Sequence, residues 1–149
     1  MKKHLLLLLT ALLPLLANAQ TKVEIDGIWY NLDSGNKQAE VTYRGNDPTD
    51  YEEYSGSITI PPTVSYGGLQ YNVTSIGDEA FYWCFDLTDI TIHKGVTSIG
   101  KWAFNCCKKL TSITIPEGVK DIKSGAFDNC LKLTDITIPK SVTTIEELV

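Results

Sequence analysis

The sequence predicts a mainly β chain: a short solenoid of 23-residue coils with short helical turns, preceded by an all-β N-terminal cap. Three observations predict it. Val, Ile, Ala-Phe, Cys and Leu recur every 23 residues through the second half. Within each unit, apolar and polar residues alternate and then meet a proline or its equivalent. The first half carries Tyr30, Tyr43, Tyr51, Tyr54, Tyr66 and Tyr71 but no cysteine. Composition agrees with a folded chain. Of 149 residues, 43% are hydrophobic and 21% charged, too apolar for a disordered tail. The net charge is −5. That argues against non-specific nucleic-acid binding, which needs a basic face.

The first element is an address. Met1-Lys2-Lys3-His4 is a short basic start, and Leu5–Leu16 is mostly leucine. Ala17-Asn18-Ala19 places small residues where a signal peptidase reads. The three parts together predict a signal peptide over 1–19, cleaved before Gln20. The competing reading is a transmembrane helix. An apolar run of this length spans roughly 18 Å as a helix, short of the ~30 Å hydrocarbon core. No second apolar stretch follows, so the mature chain is expected to have no membrane span. Its expected location is secreted or at the cell surface.

The second element is the cap, expected over 20–72. Val23 to Leu32 alternates around Asp26-Gly27, a turn dipeptide that fits a hairpin. Gln38 to Tyr43 reads as another strand. Gly45 to Tyr54 is polar and acidic and reads as a loop. Ile58-Thr59-Ile60-Pro61 matches the strand and stop of the later repeats, and Val64 the valine that follows. Residues 65–72 are an insertion with Gly67-Gly68 as its hairpin turn. This half therefore reads as a cap ending in a degenerate first coil. A solenoid needs a cap because its terminal coil otherwise exposes core to water.

The third element is the repeat array, expected over 73–149. Val73, Val96, Val119 and Val142 share one column, as do Ile76, Ile99, Ile122 and Ile145. Ala80-Phe81, Ala103-Phe104 and Ala126-Phe127 follow, then Cys84, Cys107 and Cys130, then Leu87, Leu110 and Leu133. Leu-x-x-Ile-x-Ile alternates, so it is a strand with one buried face. Pro116 and Pro139 end that strand, since proline cannot donate to a ladder. Ala-Phe-x-x-Cys-x-x-Leu has the spacing of a short helical turn. One unit cannot close a core, so units stack Ile on Ile, Phe on Phe and Cys on Cys. The fourth unit stops after Ile145. Its end is expected to bind something, to self-associate through the open coil, or to mark a shortened form of a longer protein. The chain is thus three full units and a partial fourth.

These residues resemble the BspA-type leucine-rich repeat of bacterial surface proteins. Ile113-Thr114-Ile115-Pro116, Val119, Ile122, Ala126-Phe127, Cys130 and Leu133 carry the likeness, with their equivalents one unit either side. The resemblance implies a curved solenoid and an exported protein, often an adhesin or host-protein binder. It implies no catalytic residues, because the family shares none.

No enzyme signature competes. The sequence lacks a nucleophile elbow, a phosphate loop and a Ser-His-Asp constellation. Asp89 and Asp135 share an outward column, but any two acids two coils apart are separated by roughly 10 Å. That spacing carries almost no weight as a glycosidase pair. A metal site needs three or four converging ligands, and His93 has no second histidine once His4 leaves with the signal. No cofactor is expected. Cys84, Cys107 and Cys130 face the core and read as reduced, buried thiols. Cys106 falls outside that column and reads as exposed, either reactive or able to link two chains. Asn72-Val73-Thr74 is a glycosylation sequon.

Two surfaces are candidates for binding. The first is the outward face of the strands: Asp89, Ser112 and Asp135; Thr91, Thr114 and Thr137; and His93 before Pro116 and Pro139. Thr59 extends the threonine column. β-propensity alone also explains threonine there. The second is Tyr82, Trp83 and Trp102, which interrupt columns otherwise holding Asn, Asp, Cys, Glu or Gly. Exposed aromatics are enriched at binding hot spots, although they also fold down over turns. The expected function is non-enzymatic binding of an extracellular or host protein. The alternatives are a glycan-binding module, using these aromatics and Trp29, and a purely structural fragment of a longer surface protein.

Overall fold

The computed structural model describes residues 20–49 and 54–147. The signal-peptide reading of 1–19 lies outside them. Twelve strands and no helix are present among the described residues, and no helix there is long and apolar enough to cross a membrane.

Asp26-Gly27 turns β1 (Thr21–Ile25) into β2 (Ile28–Asp33), which pair antiparallel. Both turn residues have positive φ, 51° and 82°, the backbone that a two-residue hairpin demands. β2 pairs antiparallel with β3 (Gln38–Thr42). β4 (Gly56–Thr59) leaves this sheet to begin the coils. β5 (Thr63–Tyr66) and β6 (Leu69–Ile76) form a second hairpin. Gly67 and Gly68, both at positive φ, make its turn.

Each later coil has three sides. The strand side holds β7 (Leu87–Thr91), β9 (Ser112–Thr114) and β11 (Asp135–Thr137). The second side holds β8 (Ser98–Ile99), β10 (Asp121–Ile122) and β12 (Thr144–Ile145). The third is the turn segment after it. β6, β8, β10 and β12 pair in parallel, with Ile76, Ile99, Ile122 and Ile145 in register. β3 also pairs in parallel with β6. The cap sheet therefore runs into the second side of the coils as one eight-stranded sheet.

The turn segments are not helical. Tyr82 N–H donates to Glu79 and Cys84 N–H to Phe81, three residues back. Glu79, Trp83, Trp102, Cys106, Gly125 and Asn129 interrupt them at φ between 54° and 64°. Left-handed residues break a helix after one turn. The alternate amides point to the next coil: Phe81 N–H donates to Ala103 O at 2.7 Å, and Phe104 N–H to Ala126 O at 2.8 Å.

The core is a set of columns. Phe81, Phe104 and Phe127 stack at 5.1 and 5.5 Å with planes 4° apart. Tyr54 continues this column into the cap, 4.9 Å from Phe81. Its hydroxyl donates to Thr42 O at 2.8 Å and accepts from Trp29 N–H at 2.9 Å. Tyr54, read as the end of a polar loop, is instead a buried closing residue. Isoleucine burial holds until the last coil. Ile92 is 8% exposed and Ile115 4%, but Ile138 is 39%.

Candidate functional site

Nine of the ten candidate residues divide between two sides of the coils, and His93 lies at the turn that follows β7. On the strand side, Thr59 pairs with Thr91 across β4 and β7, and Thr114 with Thr137 across β9 and β11. Asp135 lies beside Ser112, and Ser57 Oγ donates to Asp89 at 3.3 Å. Asp89, Thr91, Ser112, Thr114, Asp135 and Thr137 are all exposed. Their neighbours Ile90 and Ile113 are buried beneath them, 4% and 5% exposed. Alternation does this: the pleat sends successive side chains to opposite faces. Between β7 and β9 the surface opens into a groove of about 240 Å³, with Asp89, Thr91, Ser112 and Thr114 at its edges.

His93 does not continue that face. It is half-buried, and its Nδ1 accepts the Gly95 N–H at 3.0 Å. Burial holds its imidazole below the ordinary pKa, opposed in part by the Val73 carbonyl. Pro139, in the same column, is buried. The column turns the chain rather than facing outward.

Tyr82, Trp83 and Trp102 do come together, on the turn side. Tyr82 and Trp83 stack at 5.0 Å, and Tyr82 lies 6.4 Å from Trp102. Only Trp102 is exposed, at 38%. Tyr82 and Trp83 are half-buried, which corrects the exposure inferred from their columns. Asn105, in the Tyr82 column, is itself buried, and its amide donates to Asp128 at 3.0 Å. Polar residues in a column do not mean exposure when a neighbouring coil supplies their hydrogen bonds. Trp102 rests over Gly125: a Cβ there would lie 2.6 Å from the indole nitrogen. Lys101 Nζ sits 4.1 Å from the Trp102 ring. The signal missed in the sequence was Gly125 and Asn129. Those residue types mark left-handed backbone, and the same backbone carries Trp102 and Trp83 in their columns.

All four cysteines are thiols. Cys107 Sγ donates to Phe81 O at 3.2 Å, and Cys130 Sγ to Phe104 O at 3.0 Å. The column thus stitches each coil to the one before. Cys130 is half-buried because no further coil covers it among the described residues. Cys106 is half-buried rather than exposed, and burial pushes its thiol up. It is held as the protonated form, which is a poor nucleophile. Among the described residues no group of three His, Cys, Asp or Glu converges as metal ligands would.

Stacked parallel coils, a strand side and repeated apolar columns define a leucine-rich-repeat solenoid. The chain belongs to the BspA type Leucine rich repeat region family, whose pattern matches residues 57–149 in six copies. It is similar to a solved leucine-rich repeat protein from Bacteroides ovatus, at 35% identity and a TM-score of 0.72, over 83% of this chain and 31% of that one. A Bacteroides capillosus leucine-rich repeat protein is similar at 30% identity and a TM-score of 0.71, over 85% and 88%. The Treponema pallidum leucine-rich repeat protein matches at 25% identity and a TM-score of 0.68, over 85% and 54%. The chain therefore spans 31% and 54% of two of these relatives. No curated protein matches it.

Proposed function

We propose that the chain is an exported, non-enzymatic module that binds a protein partner on the strand side of its coils. The observation that supports this is the exposed hydroxyl-and-acid face of Thr91, Thr114 and Thr137 with Asp89, Ser112 and Asp135, where Thr114 pairs with Thr137 and Ser112 with Asp135, and Ile90 and Ile113 lie buried beneath. Its side chains are short and sit on paired strands, so few rotatable bonds are ordered on binding. The groove between β7 and β9 gives it relief. The basic, leucine-rich start of the sequence supports export, and family membership supports a protein-binding role.

The test is an array of extracellular and host-surface proteins probed with the purified chain and with Thr114→Arg. The expected result is a binder whose signal falls at least tenfold with Thr114→Arg while the melting temperature is unchanged. Equal binding by that variant contradicts the proposal, as does an array with no binder. A glycan bound instead, and lost with Trp102→Ala, moves the function to the turn side.

A further inference from the structure

Cys107 and Cys130 occupy the same place in adjacent coils. Their turn segments are joined by backbone: Phe104 N–H donates to Ala126 O at 2.8 Å, and Cys106 N–H to Asp128 O at 2.9 Å. Extended segments bonded in this way lie ~4.8 Å apart, inside the ~4.4–6.8 Å that a disulfide spans between Cα atoms. The side chains also lean the same way. Cys130 Sγ reaches back to Phe104 O at 3.0 Å, into the coil that holds Cys107. There it comes within hydrogen-bond reach of the Cys107 thiol. Access separates the members of the column. Cys84 and Cys107 are 3% and 0% exposed, whereas Cys130 is half-buried and open to a small reagent.

We propose that Cys130 and Cys107 are a dithiol site that a small external disulfide oxidises, tying the coil of β11 to the coil of β9. Cys130 gives its proton to water, and its thiolate attacks one sulfur of the external disulfide. The other sulfur leaves as a thiolate and takes up a proton. Cys107 then loses its proton and attacks the Cys130 sulfur of the mixed disulfide, expelling the second external thiol. Two protein thiols are oxidised and one disulfide is reduced to two thiols. The second attack is within the chain, so the burial of Cys107 does not block it. The order follows from the thiols' surroundings. The Cys107 thiol beside Cys130 holds it below its ordinary range, and the thiolate is the nucleophile. The same hydrogen bond, and then burial, push Cys107 up, and burial pushes Cys106 up. Closure gives up the S–H bonds to Phe81 O and Phe104 O, which are weak. The inference is read from the column alone, so it does not depend on the strand-side proposal.

The experiment treats the purified, fully reduced chain with oxidised glutathione and quenches with acid. Intact mass and a tryptic map without reductant are then read. The expected product is a single chain lighter by two hydrogens, with the Trp102–Lys108 peptide joined to the Ser124–Lys132 peptide. Cys106→Ser should leave that link intact, which assigns it to Cys107. Cys107→Ala should stop at a glutathione mixed disulfide on Cys130. Cys130→Ser, a milder change at a half-buried position, should form no link. In the unsubstituted chain, closure should slow amide exchange in β11 and β12 at least tenfold, because their coil can no longer open away from its neighbour. The proposal is overturned by a chain that keeps its mass, by a link through Cys84 or Cys106, or by linkage of two chains. A link that persists in Cys130→Ser, glutathione resting on Cys106 rather than Cys130 in Cys107→Ala, or unchanged exchange after closure would overturn it too.

Discussion

His93 shows how a residue can sit in a recognisable column and still do a different job. Its neutral ring accepts from Gly95 N–H and pins the turn after β7. Burial lowers its pKa in the fold, so the neutral form is the one folding favours. The stability it contributes is complete above its unfolded pKa of about 6.5 and is lost as pH falls through the lower folded value. Melts should therefore show a falling melting temperature from pH 7 towards pH 5. In His93→Gln that slope should be shallower. An identical slope in the variant would remove His93 from the explanation. At this scale the sequence showed which residues share a column but not which way each one faces. Thr91 and Thr114 were legible because strand alternation decides their side. Trp83 and Cys106 were not: both are half-buried, and periodicity encodes neither φ nor what a neighbouring coil covers.

The elements owe their form to backbone contact between coils. Gly118 shows this most sharply. A Cβ there would collide with the Lys94 carbonyl and come 2.9 Å from the Val96 carbonyl. Backbone cannot move aside as a flexible side chain can. Gly118→Ala should cost about 3 kcal/mol or more in urea denaturation, beyond the usual range for overpacking. A loss under about 1 kcal/mol would mean the coils have slack between them. The strands, both hairpins and the columns were readable, because period-2 alternation and the Asp26-Gly27 and Gly67-Gly68 turns are local signals. The short helical turn was misread for a physical reason. Spacing of three suits a helix and a run of three-residue turns equally, and only the left-handed residues separate them. Tyr54 was missed because its neighbours are acidic and its partners, Thr42, Trp29 and Phe81, are distant in sequence.

Across the whole molecule, the cap and the coils share one sheet and one aromatic column. β3 pairs directly with β6, and Tyr54 stacks against Phe81. The N-terminal end is therefore closed by hydrogen bonds and rings together. The last coil is not: Leu131 is 72% exposed, Ile136 37% and Ile145 48%. In a solenoid, stability is the sum of each coil and its interfaces, so a coil with one neighbour is the first to open. Amides of β11 and β12 should exchange faster by at least tenfold than those of β9 and β10. Equal protection would show that another contact covers that end. The most direct measurement of the functional proposal compares one substitution on each side of the coils. Thr114→Arg alters the strand side, Lys123→Glu the second side and Trp102→Ala the turn side, each tested for partner binding and for its melting temperature. A strand-side recognition surface predicts that Thr114→Arg alone abolishes binding while all three variants stay folded. Binding that survives Thr114→Arg and disappears with either of the others would contradict it.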